Sequence, residues 1–365
     1  MLESGLVMSV KHTVFRHLNI DERAAMSLTP FMSIIRALAV LGPCVIATAA
    51  HAGPRLDAIK ARGHLNCGVA IAEPGMSEVQ DDGTFQGFEP DICRAIAAGI
   101  FGAPNVVFAP TETLALFLEN DEIDLVIRGL TQSFRRDVGG NVHFGPVLLY
   151  NGQTFLVRAD LHVENFADLS GKTICVSSDV YADFFPPLQH YFESNGLTFH
   201  GIGTQTRAES EARFFDGQCD AVTADYAELA SAVIRHAEDA TAYRILPGHI
   251  EEEPLAPLLR KGDDEFDAVV DWAVHALVNA EALGISAANV DALRASTDPA
   301  ILSFFQEPPI ASGLAPDWTS AIVKATGNYG EIFDRHLGAA DAAHLPRGPN
   351  RLWTEGGLLY APPIR

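Results

Sequence analysis

The chain has 365 residues, with 47 acidic against 25 basic side chains and a net charge of −22. That length is enough for two lobes of ordinary domain size, and 48% hydrophobic with 20% charged residues excludes bulk disorder. Nucleic acids are bound by neutralising phosphates with Lys and Arg, so an acidic excess of this size excludes that partner, and it repels anionic membrane surfaces as well.

The first segment is read as an address. Arg36 precedes an uncharged apolar run at residues 37–50, and Ala50-His51-Ala52 completes a small-residue cleavage pattern. The run has about 14 residues, short of the roughly 20 that span a bilayer. Residues 1–52 are therefore expected to be a leader and removable signal cut after Ala52, with a retained anchor as the alternative. Leu41-Gly-Pro-Cys44 faintly suggests a lipoprotein site, against which Pro43 argues. Residues 1–52 hold four basic and three acidic side chains, so 21 basic then face 44 acidic in the mature chain.

From residue 53 onward, strands and helices alternate. His64-Leu-Asn-Cys-Gly-Val-Ala-Ile71 reads as a strand, and Gly83-Thr-Phe-Gln-Gly-Phe88 as a turn into a helix. Pro90 suits that helix's first turn, and Ile92, Ile96 and Ile100 follow at helical spacing. A strand is predicted over 105–109, a short helix over 112–120 and a third strand over 123–127. After Gln153-Thr-Phe-Leu-Val157 the pattern restarts. Strands are predicted at 171–176 and 220–223, and helices at 181–195 and 207–216. Residues 254–259 read as one further strand, and 264–283 as a long helix. Two βαβ-type units in series predict an α/β fold of two lobes, each a mostly parallel sheet flanked by helices. The first lobe is expected over 53–155, the second over 156–252, and the chain returns to the first over 253–365. In open sheets of this kind ligands sit beyond the carboxyl ends of strands, so the loops after Ile71, Ile127, Val176 and Thr223 are the places to look.

Cys44 leaves with the signal, and four cysteines remain, which admit three pairings. Their places on successive elements favour Cys67–Cys93 and Cys175–Cys219, one bridge in each half, as an oxidising periplasm permits. Four buried free thiols are the alternative. No C-x-x-C spacing supports a metal, and no cofactor is indicated.

Five segments in order carry a family resemblance: residues 56–69, 83–97, 122–137, 327–333 and 352–365. The most specific is Glu122-Ile-Asp-Leu-Val-Ile-Arg-Gly-Leu-Thr-Gln-Ser-Phe-Arg-Arg-Asp137. Together they resemble the polar amino-acid-binding periplasmic receptors, family 3 of the solute-binding proteins, and the ending resembles the general L-amino-acid-binding branch. The resemblance implies the type II two-lobed fold, an amino acid in the interlobe cleft, and a monomer that delivers it to the permease of an ABC importer. It implies that Arg136 grips the α-carboxylate, with Gly129 and Thr131 beside it, and that Asp225 takes the ammonium. For Arg136 the alternative is a surface pair with Asp137; for Asp225 it is a helix N-cap. Arg128 either meets a ligand side chain or makes a structural ion pair. The family's Gly-Thr after the first strand of the second lobe is Asp179-Val180 here. An acid beside a ligand carboxylate repels it by about 1 kcal/mol in water. Glu73 and Met76 belong to the first-lobe loop that covers the ligand, where Met76 stands in for an aromatic residue, and Tyr181 could supply an aromatic wall instead.

The sequence contains no G-x-S-x-G, H-E-x-x-H or phosphate loop. An enzyme on this scaffold, such as a cyclohexadienyl dehydratase, would need a placed acid and base, for which Glu73, Asp179 and Asp225 are the candidates. A sensor that docks on a membrane receptor is the third reading.

Overall fold

The computed structural model describes residues 53–111, 114–179, 182–338 and 345–365. The expected leader and Tyr181 lie outside the described residues. Helix α1 (Pro54–Arg62) leads into β1 (Leu65–Val69), followed by a small antiparallel sheet of β2 (Ala72–Glu73), β3 (Ser77–Val79) and β4 (Phe85–Gln86). Then come α2 (Phe88–Phe101), β5 (Val106–Pro110), α3 (Leu114–Glu119), β6 (Leu125–Val126), α4 (Phe134–Gly139) and β7 (Val142–Phe144). β1 runs parallel to β5 and β6, and such pairs need a crossover, which α2 and α3 supply. Ile92, Ile96 and Ile100, expected at helical spacing, are all buried in α2.

β8 (Leu149–Asn151) leads through Gly152 into β9 (Gln153–Arg158), the first strand of a second sheet. β10 (Thr173–Asp179), β11 (Ala182–Asp183), α5 (Phe185–Ser194), β12 (His200–Thr204), α6 (Arg207–Phe215), β13 (Ala221–Asp225), α7 (Tyr226–His236) and β14 (Tyr243–Ile245) follow. β10 is parallel to β12 and β13, and β9 is antiparallel to β13 and β14. This sheet has its own apolar core, from Phe155 through Phe192 and Phe214 to Leu246. α5 starts at Phe185 and not at 181, because Ala182–Asp183 forms a strand against β10 and Pro186-Pro187 suits a first helical turn.

β15 (Glu253–Leu255) and β16 (Leu258–Arg260) replace the single strand expected over 254–259. β15 pairs with β8, whereas β16 enters the first sheet between β6 and β7, giving the order β5-β1-β6-β16-β7. The break falls at Ala256-Pro257, and proline has no N–H to continue a ladder. α8 (Asp264–Ala282), α9 (Val290–Leu293), α10 (Pro299–Phe304), α11 (Trp318–Thr326) and α12 (Tyr329–His336) complete the first lobe, with α8 and α11 packed on α2. The β8–β15 pair therefore joins two α/β lobes with separate cores. The Asn350 side chain holds β8, accepting from Tyr150 N–H at 2.7 Å and donating to Tyr150 O at 2.9 Å.

Both expected disulfides form. Cys67–Cys93 ties β1 to α2, and Cys175–Cys219 ties β10 to the segment before β13, with Cα atoms 6.2 and 5.7 Å apart. No helix among the described residues is long and apolar enough to cross a membrane.

Candidate functional site

The first-lobe wall begins where β6 ends. The chain after Ile127 runs beside β15: Gln132 N–H donates to Pro254 O at 2.8 Å, Ala256 N–H to Leu130 O at 3.1 Å, and Thr131 bridges Leu255. The turn needs a left-handed residue, supplied by Gly129 at φ 61°. Gly129 N–H donates to Glu89 Oε1, so the amide expected to meet a ligand is engaged within the lobe. Glu89 is 3% exposed, and burial pushes its carboxyl up to about 8 against the pull of Gly129 N–H and Arg128.

Arg136, half-buried on α4, donates from Nη1 to Thr131 O at 2.9 Å. The alternative pair with Asp137 does not form; Asp137 O instead accepts from Lys261 Nζ at 2.8 Å. Arg128 keeps its Nε buried without a partner. Neither arginine makes a salt bridge with a carboxylate among the described residues, although the Arg128 charge acts on Glu89. Met76, 7% exposed, lines a small hollow with Phe88, Glu89 and Gly129.

The second-lobe wall has the opposite character. Asp225 ends β13 at the N-cap position of α7, yet its side chain makes no capping bond. The Ala227 N–H that a cap would serve donates instead to Asn151 Oδ1 of β8 at 3.2 Å. Asp225 is 9% exposed with Oδ1 unpartnered. Burial, then repulsion from Glu228, Glu253 and Glu251, holds its carboxyl well above the usual range. Glu251 is itself pushed up to about 7 by burial and by Glu253. Asp179 closes β10 opposite Ala182.

Glu73 does not stand free toward the cleft. Its two carboxylate oxygens meet Arg207 Nη2 and, at 3.4 Å, Arg235 Nη1, both from the second lobe. Arg207 also meets Glu228 and Glu211, and Arg235 grips Glu211 with both contacts at 2.9 Å. Ser231 donates its hydroxyl to Pro74 O at 2.6 Å. The loop expected to cover a ligand is thus fastened across the lobes. Burial lowers and the three acids raise the Arg207 pKa, and the acids prevail.

Sequence reading passed over Gln153, Asn151 and Arg207. Gln153, fully buried at the start of β9, carried one local signal: a polar amide opening an otherwise apolar strand. Arg207 carried only its helical i,i+4 spacing to Glu211, since its partner across the lobes, Glu73, lies 134 residues away, and Asn151 carried none, its partner Ala227 lying 76 residues away. Among the described residues, no group of three or more His, Cys, Asp or Glu side chains is placed to hold a metal ion.

Comparison with known proteins identifies the family. The chain is 37% identical over 337 residues to the general L-amino acid-binding periplasmic protein AapJ of Rhizobium johnstonii, covering 90% of this chain and 98% of that one. It is 38% identical over 330 residues to the glutamate/glutamine/aspartate/asparagine-binding protein BztA of Rhodobacter capsulatus, covering 88% and 96%. Among solved structures, an ABC transporter periplasmic binding protein from Brucella ovis with glutathione bound superposes with a TM-score of 0.77 at 33% identity, covering 86% and 100%. The family profile of the bacterial extracellular solute-binding proteins, family 3, matches residues 65–285, and the chain belongs to that family.

Proposed function

We propose that this protein is the periplasmic substrate-binding component of an amino-acid ABC importer, with no enzymatic step of its own. It would hold an α-amino-acid head group between its lobes and present the closed form to a permease. The observation that carries the reading is the opposite polarity of the two walls. The first lobe offers Arg128 and Arg136 without a salt bridge to a carboxylate, and the second offers Asp225 with an orphaned oxygen. A zwitterion needs this complement, because its carboxylate and ammonium must exchange water for partners of opposite sign. Arg136 would take the carboxylate, Thr131 would flank it, and Asp225 would take the ammonium. Each lobe then holds one end, so the ligand favours closure.

In this reading the first lobe comprises 53–152 and 253–365 and the second 153–252, a boundary three residues earlier than the one expected at 155 because β9 pairs within the second sheet from Gln153 onward, and the protein works as a monomer exported by cleavage after Ala52. The relatives' names point to a broad amino-acid range or to glutamate, glutamine, aspartate and asparagine. Glutathione, bound by the Brucella protein, also ends in an α-amino-acid group. Asp179 and Tyr181 remain candidate wall residues of the second lobe. The test is calorimetry of the mature chain from Gly53 against the twenty standard L-amino acids and glutathione. Binding of at least one, abolished by Arg136→Ala, is expected; silence across the panel refutes the reading.

A further inference from the structure

Three acceptor atoms on the second-lobe wall are buried without a hydrogen-bond partner: Gln153 Oε1, Asp225 Oδ1 and Glu228 Oε2. Gln153 and Asp225 stand directly opposite one another in the β9–β13 ladder. That places their side chains on one face, with Cβ atoms about 5 Å apart. Glu228 lies in the first turn of α7, immediately after Asp225, and is the strongest charge acting on it.

The Gln153 amide cannot turn over to relieve its oxygen. Nε2 donates to Phe184 O at 2.9 Å and to Thr223 Oγ1 at 3.0 Å. Thr223 gives its own proton to Thr154 O at 2.7 Å, so toward Gln153 it can only accept. A flipped amide would set Oε1 against the Phe184 carbonyl. Oε1 is therefore fixed as an acceptor and still needs a donor. Glu228 is similarly placed: Arg207 occupies Oε1 and leaves Oε2 bare. The Asn151 contact takes the Ala227 N–H, one of the two backbone donors an N-cap side chain can reach, and Asp225 makes no capping bond to the other. Buried acceptors in native proteins are seldom left unpaired, and three together mark the place of a missing donor group.

We propose that Gln153 is a ligand-binding and specificity-determining residue, its Oε1 joining Asp225 Oδ1 and Glu228 Oε2 to receive the three N–H groups of a primary ammonium. The proposal rests on the amino-acid reading above and adds a donor count to it. A primary ammonium supplies three donors and satisfies all three atoms. An N-methyl amine supplies two and turns a methyl group toward an acceptor. A 2-hydroxy acid supplies one and carries no positive charge for Asp225.

The experiment compares each standard L-amino acid that binds the mature protein with its 2-hydroxy and N-methyl analogues, in wild type and in Gln153→Met. Wild type should bind the primary amine at least tenfold tighter than either analogue, since each lost charge-assisted bond is worth roughly a factor of ten or more. Gln153→Met should weaken the amino acid about tenfold and its 2-hydroxy analogue less than about threefold, narrowing the discrimination. Equal weakening of amine and hydroxy acid would mean that Gln153 only supports Phe184 and Thr223, and overturns the proposal while amino-acid binding stands. If Gln153→Met does not melt cooperatively, a crystal structure of wild type with its tightest amino acid decides. A ligand nitrogen about 2.7–3.2 Å from Gln153 Oε1 supports the proposal, and a water or an empty contact there overturns it. Absence of binding by all twenty amino acids in wild type refutes both the reading and this proposal.

Discussion

Glu73 decides between two roles for the first-lobe loop, and Glu73→Gln separates them. Its carboxylate is 23% exposed and meets Arg207 and Arg235, themselves 31% and 23% exposed, across the lobes. Two unit charges 4 Å apart interact by about 4 kcal/mol at an effective dielectric of 20. Fully exposed pairs contribute about 0–1 kcal/mol. This contact lies between those limits. Arg207 keeps Glu228 and Glu211, and Arg235 keeps both Glu211 oxygens at 2.9 Å, so neither cation is left bare. The loss should be about 1–2 kcal/mol on the joined arrangement, or roughly five- to thirtyfold in the equilibrium between joined and separated lobes. The assay is a pair of fluorophores, one on each lobe, together with calorimetry of every amino acid that binds. Glu73→Gln should increase the interlobe distance without ligand and weaken all ligands by one common factor. Raising salt should move wild type the same way, because partly exposed pairs are screened. A changed ranking among ligands would show that Glu73 touches cargo. An unchanged distance with unchanged affinities would refute the fastening role.

Arg136→Ala should weaken any α-amino acid by about a hundredfold or more, since the carboxylate loses its charge-assisted partner, and calorimetry reads this directly. Replacing Cys67 and Cys93, or Cys175 and Cys219, by serine should cost about 3–4 kcal/mol each, from the loop entropy of 26- and 44-residue separations. Urea melts under oxidising and reducing conditions check the size. Glu89 gives a pH dependence. Its carboxyl rises from 4.5 to about 8 on folding through burial, so its favourable contribution is complete below 4.5 and is lost as pH rises to about 8. Between 4.5 and about pH 7 wild type should lose roughly 3 kcal/mol relative to Glu89→Gln, which keeps an acceptor for Gly129 but cannot ionise. Parallel stability–pH profiles of the two proteins would refute that account.

Much of the fold was legible because local rules and tertiary structure agree. The isoleucines of α2 show helical spacing, and the cysteines sit on elements that pack together, β1 with α2 and β10 with the entry to its neighbour β13. The strand at 254–259 misled because apolar content alone cannot tell one strand from two that serve different sheets. Pro257 was the signal that should have divided it, since it cannot donate to a ladder. For the site, sequence names residue types but not their partners. Gly129 reads as an exposed backbone donor until Glu89, 40 residues away, accepts its N–H. Glu73 reads as part of a ligand cover until Arg207 and Arg235 hold it.

Asp225 shows why such information is absent from local pattern. An aspartate before Tyr226-Ala-Glu-Leu satisfies every rule for an N-cap, and it occupies that position. Its carboxylate is nevertheless uncommitted, because Asn151 reaches from the hinge strand β8 to serve the Ala227 N–H in its place. One hydrogen bond from the hinge thus leaves Asp225 available for another donor. It also ties the binding wall of one lobe to the strand that joins both. If Asn151 were replaced by alanine, the Asp225 side chain could turn to cap α7. The wall would then lose one of its orphaned acceptors with no substitution at the site itself. A mutation behind the wall should therefore weaken amino-acid binding, and this coupling of hinge to charge is the part that no reading of either segment alone contains.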